Sequence, residues 1–314
     1  MLKYIGKRLI QSIFTLFVII TIVFSLLRLM PEEGYLGAAA EKMSEAQQEI
    51  YLTNLGLRDP LIVQLGNFYQ GLFQGDLGKS ITYRTDVPVV DIIQDKMMYS
   101  ILFGLGAVAL SLIVGVPLGI LMAQFKGRWL DRLGTGYIVF VVAVPAMVYF
   151  LMIQMYVTGW LGWPMLFDEY NPISWILPLV SMALGPIASY AMWMRRYMVD
   201  ELNKDYIKLA RAKGVRERTI MFRHVLRNAF IPMAQYFPAT ILFTITGSIY
   251  IESLYSIPGM GGLLVDAIQR QDNQVVQGLV IFFSSLGILG LILGDLLMAI
   301  VDPRIKLGKG DSVR

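Results

Sequence analysis

Six stretches of this chain run 19 to 35 residues without a charged side chain: Leu9–Leu27, Met97–Phe125, Leu133–Phe167, Tyr170–Met194, Asn228–Ile251 and Asn273–Gly294. A charge at the centre of a bilayer costs several kcal/mol, and about 20 apolar helical residues cross the hydrocarbon. The runs therefore predict an all-α polytopic membrane protein with six transmembrane helices. They are near-continuously apolar, without the alternation of a β-barrel strand. The third run exceeds one span and is read as a helix plus an aromatic re-entry or loop around Trp160 and Trp163. Composition agrees, since 56% of the 314 residues are hydrophobic and 16% charged, against about 25% charged in soluble proteins. With no cysteine and one histidine, His224, disulfides, thiolate metal sites and multi-histidine metal centres are excluded.

Orientation follows from Lys and Arg, which accumulate on the cytoplasmic side. With both termini inside, 20 of the 27 basic residues fall in cytoplasmic segments and six outside, five of those in one long loop. Arg28 sits at a membrane boundary and is expected to snorkel. The net charge of +4 thus reads as membrane topology and not as nucleic-acid binding. The first apolar run, behind Lys3, Lys7 and Arg8, is longer than the 7–15 residues of a signal-peptide core. Ala38–Ala40 lie too far beyond it for a cleavage site, so this run is expected to be retained as a span.

Two segments lie between spans. Residues 31–97 carry ten acidic and five basic side chains and are expected to form a small extracytoplasmic domain. In it, 44–55 and 60–74 read as helices, with Gly56 as a stop signal. Gly75-Asp76-Leu77-Gly78-Lys79-Ser80 ends like a phosphate loop. The first glycine of such a loop would fall at Phe73, so a structural turn is the better reading. The second segment, 195–232, has apolar positions on one helical face over 197–213, a break at Gly214, and a second amphipathic stretch that Pro232 is expected to end. Physical chemistry alone leaves three roles open for it: lying in lipid headgroups, packing internally, or docking a partner subunit.

Ala210-Arg211-Ala212-Lys213-Gly214, followed by His224-Val225-Leu226-Arg227-Asn228-Ala229 and Pro232, resembles the coupling loop of ABC importer permeases. The variant is similar to the oligopeptide/dipeptide/nickel permease family, and the resemblance covers essentially the whole chain. Tyr4-Ile5-Gly6-Lys7-Arg8-Leu9 resembles the family's first-subunit start, and Gly75-Asp76-Leu77-Gly78 with Ser80 an outer-segment motif. Glu252, Tyr255, Pro258, Gly259, Gly261 and Leu263 resemble its last outer loop. Asp295-Leu296-Leu297 and Asp302-Pro303-Arg304 resemble its C-terminal signature. The chain departs from the broader consensus where Lys208, Leu209 and Ala210 replace Glu-Ala-Ala, so no loop glutamate ion pair is expected there.

The resemblance implies the type I ABC importer permease fold, with residues 1–30 as N-terminus and first helix and 31–97 as the extracytoplasmic domain. Residues 98–302 would be the permease core including segment 195–232, and 303–314 a cytoplasmic tail. It implies the first permease subunit of a peptide importer in a bacterial or archaeal cytoplasmic membrane. Its partners would be a homologous second permease, two cytoplasmic ATPases and an extracytoplasmic binding protein. ATP and Mg would be bound by the ATPases, and no cofactor by this chain. Ala210, Arg211, Ala212, Lys213, Gly214, His224, Arg227 and Asn228 become the candidate ATPase-coupling residues, and Glu252, Pro258 and Gly259 a candidate outer gate. The sequence lacks a G-x-x-x-x-G-K-[ST] match, so ATP hydrolysis is expected on partners. Nickel or another small nutrient is the alternative cargo. A stand-alone secondary transporter is the alternative class, disfavoured because no clear repeat is seen and Asp295 is nearly the only acid inside a run. Gly115-x-x-x-Gly119 and Gly290-x-x-x-Gly294 read as helix-packing motifs, and Pro117, Pro145, Pro178 and Pro186 as kinks or pathway breaks.

Overall fold

The computed structural model describes residues 2–30, 32–36, 43–234, 238, 240–242 and 248–301, and among these every regular element is helical. Among the described residues four helices are long and apolar enough to cross a membrane: α1 (Leu2–Arg28), α5 (Val89–Gln124), α9 (Ile173–Leu202) and α15 (Asn273–Val301). The pair α6 (Trp129–Ala143) and Ala146–Leu161, bent by 108° at the junction, has the length and apolar character of a broken fifth span or a re-entrant loop. That second half comprises α7 (Ala146–Met152), a π-turn (Ile153–Val157) and α8 (Thr158–Leu161). The expected span at 228–251 falls partly outside the described residues. Its two ends appear as α12 (Leu226–Ala234) and α13 (Ile249–Tyr255).

Charge-free runs locate these helices but understate them. Helix α5 starts eight residues before Met97, directly after Pro88, whose missing N–H costs nothing in a first turn. In the third run the break lies at Val144-Pro145, well before Trp160. Proline forces the preceding residue out of the helical region, and Val144 is extended at φ −89°, ψ 130°. The expected single helix over 197–213 is also two pieces. Residues 197–202 continue α9, and α10 (Asp205–Ala212) begins after a break at Asn203.

Helices α5 and α9 form the centre. A Cβ at Gly115 would lie 2.8 Å from the Ile187 carbonyl oxygen, and one at Gly119 2.6 Å from that of Ala191. The two backbones thus approach at distances only glycine permits, which bears out the packing reading of this pair. Around them, α6 packs on α9, and α1 packs along α15.

Between α1 and α5 lie α2 (Glu33–Leu36), α3 (Glu45–Asn54) and α4 (Leu61–Phe73). Ser44 and Gln47 form a reciprocal capping box at the start of α3, and Gly56 turns its end at φ +71°. Tyr35, Leu36 and Leu52 make a small core. Arg58 bridges Glu32 and Glu49 at 2.6 Å each, and its guanidinium holds the exposed Glu49 carboxyl below the usual range.

Substituting Gly119 by Val should force α5 and α9 apart at a cost of about 1–3 kcal/mol. Gly136→Val, whose Cβ would meet nothing within 4 Å, should cost far less. Thermal unfolding of the two variants in detergent, followed by loss of monodisperse protein, measures the difference.

Candidate functional site

The candidate coupling residues form a turn built around Gly214. Helix α10 ends when Lys213, Gly214 and Val215 return their N–H groups to the carbonyls of Leu209, Arg211 and Ala210 at 3.0, 2.9 and 3.1 Å. Gly214 is left-handed at φ +75°, as this helix-ending motif requires. The chain re-enters helix through α11 (Glu217–Thr219), a π-turn (Ile220–Val225) and α12. Helix α12 runs through Pro232 to Ala234, so the proline does not end it as expected.

One face of this unit is internal packing. Ile207, Ile220, Met221, Val225, Ala229 and Met233 are buried against Met194 and Met198 of α9 and Ala123 of α5. Asn228 Nδ2 donates to Glu201 Oε1 and Tyr206 Oη, both at 3.0 Å, joining the start of α12 to the end of α9 and the start of α10. Asn228 is therefore a brace inside the turn unit. The opposite face is exposed and basic, with Arg211, Ala212, Lys213, Gly214 and Arg227 in the open, His224 half-buried, and Ala210 half-buried behind them. Leu209 and Phe222 are 56% and 55% exposed there. Arg211 clasps Glu217 across the turn through Nε and Nη2, at 3.1 and 2.6 Å. The guanidinium lowers the Glu217 carboxyl, so the pair holds at neutral pH and is lost only as pH falls through that lowered value. Both partners are exposed, so it orients the turn more than it stabilises it.

The candidate gate residues form a clasp. Glu252 in α13 is 2% exposed. Its Oε1 accepts from Ser100 Oγ of α5 at 2.8 Å and its Oε2 from the Gly262 N–H at 3.0 Å, in the first turn of α14 (Met260–Gln269). Ser100 Oγ in turn accepts the Met260 N–H at 2.8 Å. A Cβ at Gly259 would overlap the Glu252 carboxylate, and one at Gly261 would stand 2.8 Å from the Ile249 nitrogen. The Glu252, Gly259 and Gly261 positions thus form one unit: a carboxylate seated on a helix N-terminus, with glycines making room. Pro258 lies in the tight turn between them.

The loop that resembles a phosphate-binding turn already holds an anion. Asp272 Oδ2 accepts from Ser80 Oγ at 2.6 Å and from the N–H groups of Ile81, Thr82 and Tyr83 at 3.0, 3.0 and 2.9 Å. Its Oδ1 faces the Val275 N–H at 3.3 Å, capping α15. Gly78 is left-handed at φ +83° against Gln274. The motif is a structural turn seated on the last helix, as the sequence reading preferred.

Two further features have no counterpart among the expected site residues. Asp131, at the start of α6, pairs with Arg195 of α9 through Nε at 2.5 Å and Nη2 at 2.9 Å, and also accepts the Gly127 N–H at 2.8 Å. In addition, a cavity of about 580 Å³ opens between α6, α7, α9 and α12. Tyr149, Pro186, Tyr190, Trp193 and Tyr197 are among its walls, with the backbone of Gly185. Asp131 left only a faint sequence signal, an acid in the first turn of a helix among basic neighbours. The shared lining of one cavity by Val141 and Tyr190 had none. Of the four prolines, Pro145 makes the α6–α7 break and Pro186 lines the cavity, while Pro117 and Pro178 lie inside continuous helices. The tail 303–314, Asp302 and residues 38–40 lie outside the described residues, as does the Asp295 side chain.

Comparison with known proteins follows the same layout. Residues 115–307 match the family model described as binding-protein-dependent transport system inner membrane component. Residues 1–103 match the N-terminal model of binding-protein-dependent transport system membrane components. The chain is 33% identical to the glutathione transport system permease protein GsiC of Pectobacterium atrosepticum, over 98% of this chain and 99% of that one. It is 34% identical to the dipeptide transport system permease protein DppB of Lactococcus lactis, over 98% and 100%. To the oligopeptide transport system permease protein AppB of Bacillus subtilis it is 32% identical, again over 98% and 100%. A crystal structure of an amino acid ABC transporter with histidines shares the fold at a TM-score of 0.50 and 13% identity, covering 69% of this chain and 95% of that one.

Asp131→Ala leaves the Arg195 guanidinium and the Gly127 N–H without their acceptor. Because Arg195 is about one-third exposed, the expected loss is about 1–3 kcal/mol, below that of a fully buried pair. The double variant Asp131→Ala/Arg195→Met should recover part of it. A thermal-stability double-mutant cycle measures the coupling.

Proposed function

The chain belongs to the family of binding-protein-dependent transport system inner membrane components, and from that premise we propose that it is the first of two permease subunits in an ATP-driven peptide importer. As a permease component it is a multi-pass membrane protein and not itself an enzyme. In this reading it crosses a bacterial or archaeal cytoplasmic membrane six times, with both termini inside. The segment between α1 and α5 stands on the outer side, and the Gly214 turn on the cytoplasmic side. Its partners are a homologous second permease, two cytoplasmic ATPases that hold ATP and Mg, and an extracytoplasmic binding protein. The names of the relatives, two for peptides and one for glutathione, support a peptide cargo over nickel.

The observation that carries the proposal is the two-sided character of the turn unit. Its exposed basic face, with Leu209 and Phe222, suits a partner surface. Its buried face is packed on α9 through Met194 and Met198, and the exposed Asn228–Glu201 brace ties it to the end of α9. Closure of the ATPases would displace α10 to α12, and α9 with them. The cavity beside Gly185 and Pro186 would then be this subunit's share of the pathway, with uncharged aromatic walls that suit peptides of varied side chains. Transport requires that the solute be held differently in the two states. Glu252, Pro258 and Gly259 would shape the outer rim by holding its loop in place.

Gly214→Val should insert and assemble normally yet lose peptide-stimulated ATP hydrolysis by the reconstituted complex, because a β-branched residue resists φ +75°. Gly214→Asn, which tolerates that conformation, should keep most of it. Full stimulation in the valine variant would falsify the coupling assignment.

A further inference from the structure

We propose that α4, in the segment between the first two spans, is an interfacial membrane helix whose apolar face lies in lipid beside α1. The helix, Leu61–Phe73, contains no charged residue. At helical spacing, Ile62, Leu65, Tyr69, Leu72 and Phe73 fall on one side, and Gln64, Asn67, Gln70 and the following Gln74 on the other. On the apolar side Leu65, Tyr69 and Leu72 are half-buried, while Ile62 and Phe73 at its two ends stand clear of the described residues. Ile62 is 79% and Phe73 88% exposed, and no residue of α4 is buried. Water is a poor surrounding for such a face, and 13 residues are too few to span.

Contacts with α1 fix its depth. The Tyr69 ring stacks on Phe17 with centroids 5.1 Å apart, and Phe68 meets Phe24 at the same distance. Tyr69 Oη donates to the Phe17 carbonyl at 3.1 Å and lies 2.8 Å from Thr21 Oγ1. Phe17 is eleven residues inside Arg28, which closes the apolar span Leu9–Arg28, and so lies about 16 Å along the helix from that boundary. The hydrocarbon is about 30 Å thick, so the Tyr69 hydroxyl reaches near its middle. It finds there the protein acceptors that lipid cannot supply. A tyrosine side chain is long, and Phe68 reaches only to Phe24. The α4 backbone therefore rides near the depth at which interfacial helices sit, about 5–10 Å below the headgroup boundary.

Lipid is the occupant because the face is continuous with the exposed apolar surface of α1, a helix long and apolar enough to cross a membrane. Only 11% of the α1 span is buried, and Phe17, Tyr69 and Phe73 extend its apolar surface directly onto α4. The preceding turn, by contrast, is a water-exposed ion-pair cluster at Arg58, Glu32 and Glu49. The helix thus starts at a polar surface and stays on the lipid side of it.

The chain has no cysteine, so single spin labels report cleanly. Ile62→Cys, Phe73→Cys, Asn67→Cys and Gln70→Cys would each be labelled in the full complex, with partner cysteines removed, in lipid nanodiscs. Power saturation with oxygen and with a water-soluble nickel chelate reads depth. The labels at 62 and 73 should show an oxygen-to-nickel accessibility ratio several-fold above those at 67 and 70. Nickel access equal at all four positions would overturn the proposal and make α4 part of an aqueous domain. Labels at 62 and 73 shielded from both reagents would also overturn it, showing a protein partner on this face.

Discussion

The contact between α5 and α9 at Gly115 and Gly119 is the joint on which the other helices depend. Between two helices in lipid there is little hydrophobic drive, because the tails are as apolar as the side chains, and association rests on close packing. Here two glycines bring one backbone against the carbonyls of Ile187 and Ala191 on the other. Helix α9 then carries much of the rest. Arg195 holds the start of α6, Met194 and Met198 hold the turn unit, and Gly185 with Pro186 forms one wall of the cavity. A shift at this joint would be felt at all three places, since close-packed interiors do not yield smoothly.

Carboxylates supply the second kind of joint. Asp272 gathers four donors from residues 80–83 and faces the start of α15. Glu252 links α13, the first turn of α14, and Ser100 of α5. Asp131 ties the turn before α6 to Arg195. Each lies at a helix end, where unpaired N–H groups or a cation await an anion, and where removing a charge from water costs less than at mid-membrane. Each also joins segments that are distant in sequence, 64 residues apart for Asp131 and Arg195 and 192 for Ser80 and Asp272. In a chain whose spans contain few polar groups, such contacts set the position of one helix end against another.

These distances explain what the sequence could and could not reveal. Charge-free runs locate the four long apolar helices and the bent pair, because exclusion of charge is a local property. Gly56 and Gly214 marked helix ends correctly, since a left-handed terminus is also local. The ends of the long helices were less legible, because α5 and α9 continue past the apolar stretch into charged sequence. Pro145 reads as one break among several in the third run, where Trp160 and Trp163 are the more conspicuous interruption. Asn228 belonged to a recognisable motif, yet its partners Glu201 and Tyr206 lie beyond any local pattern. The same holds for Ser100 beneath Glu252, and for the cavity, whose walls come from four helices.

The distribution of stiffness around the cavity bears on how such a subunit moves. On one side, α9 runs unbroken for 30 residues, and the turn unit is packed on its end. On the other, α6 stops at Val144-Pro145, and the chain bends by 108° into a half-helix that loosens into a π-turn at Ile153–Val157. Gln154 in that π-turn donates to the carbonyls of Met165 and Leu254, so the loosened stretch is tied to α13 and the clasp while also packing on α9. A displacement entering through the Gly214 turn would therefore reach α9 and, through Asp131, the start of α6. The half-helix beyond Pro145 packs both on α9 and on α13 beside the Glu252 loop. The break at Val144-Pro145 is thus the one place among the described residues on this side of the cavity where the helical ladder is interrupted, and so the place where that wall can bend.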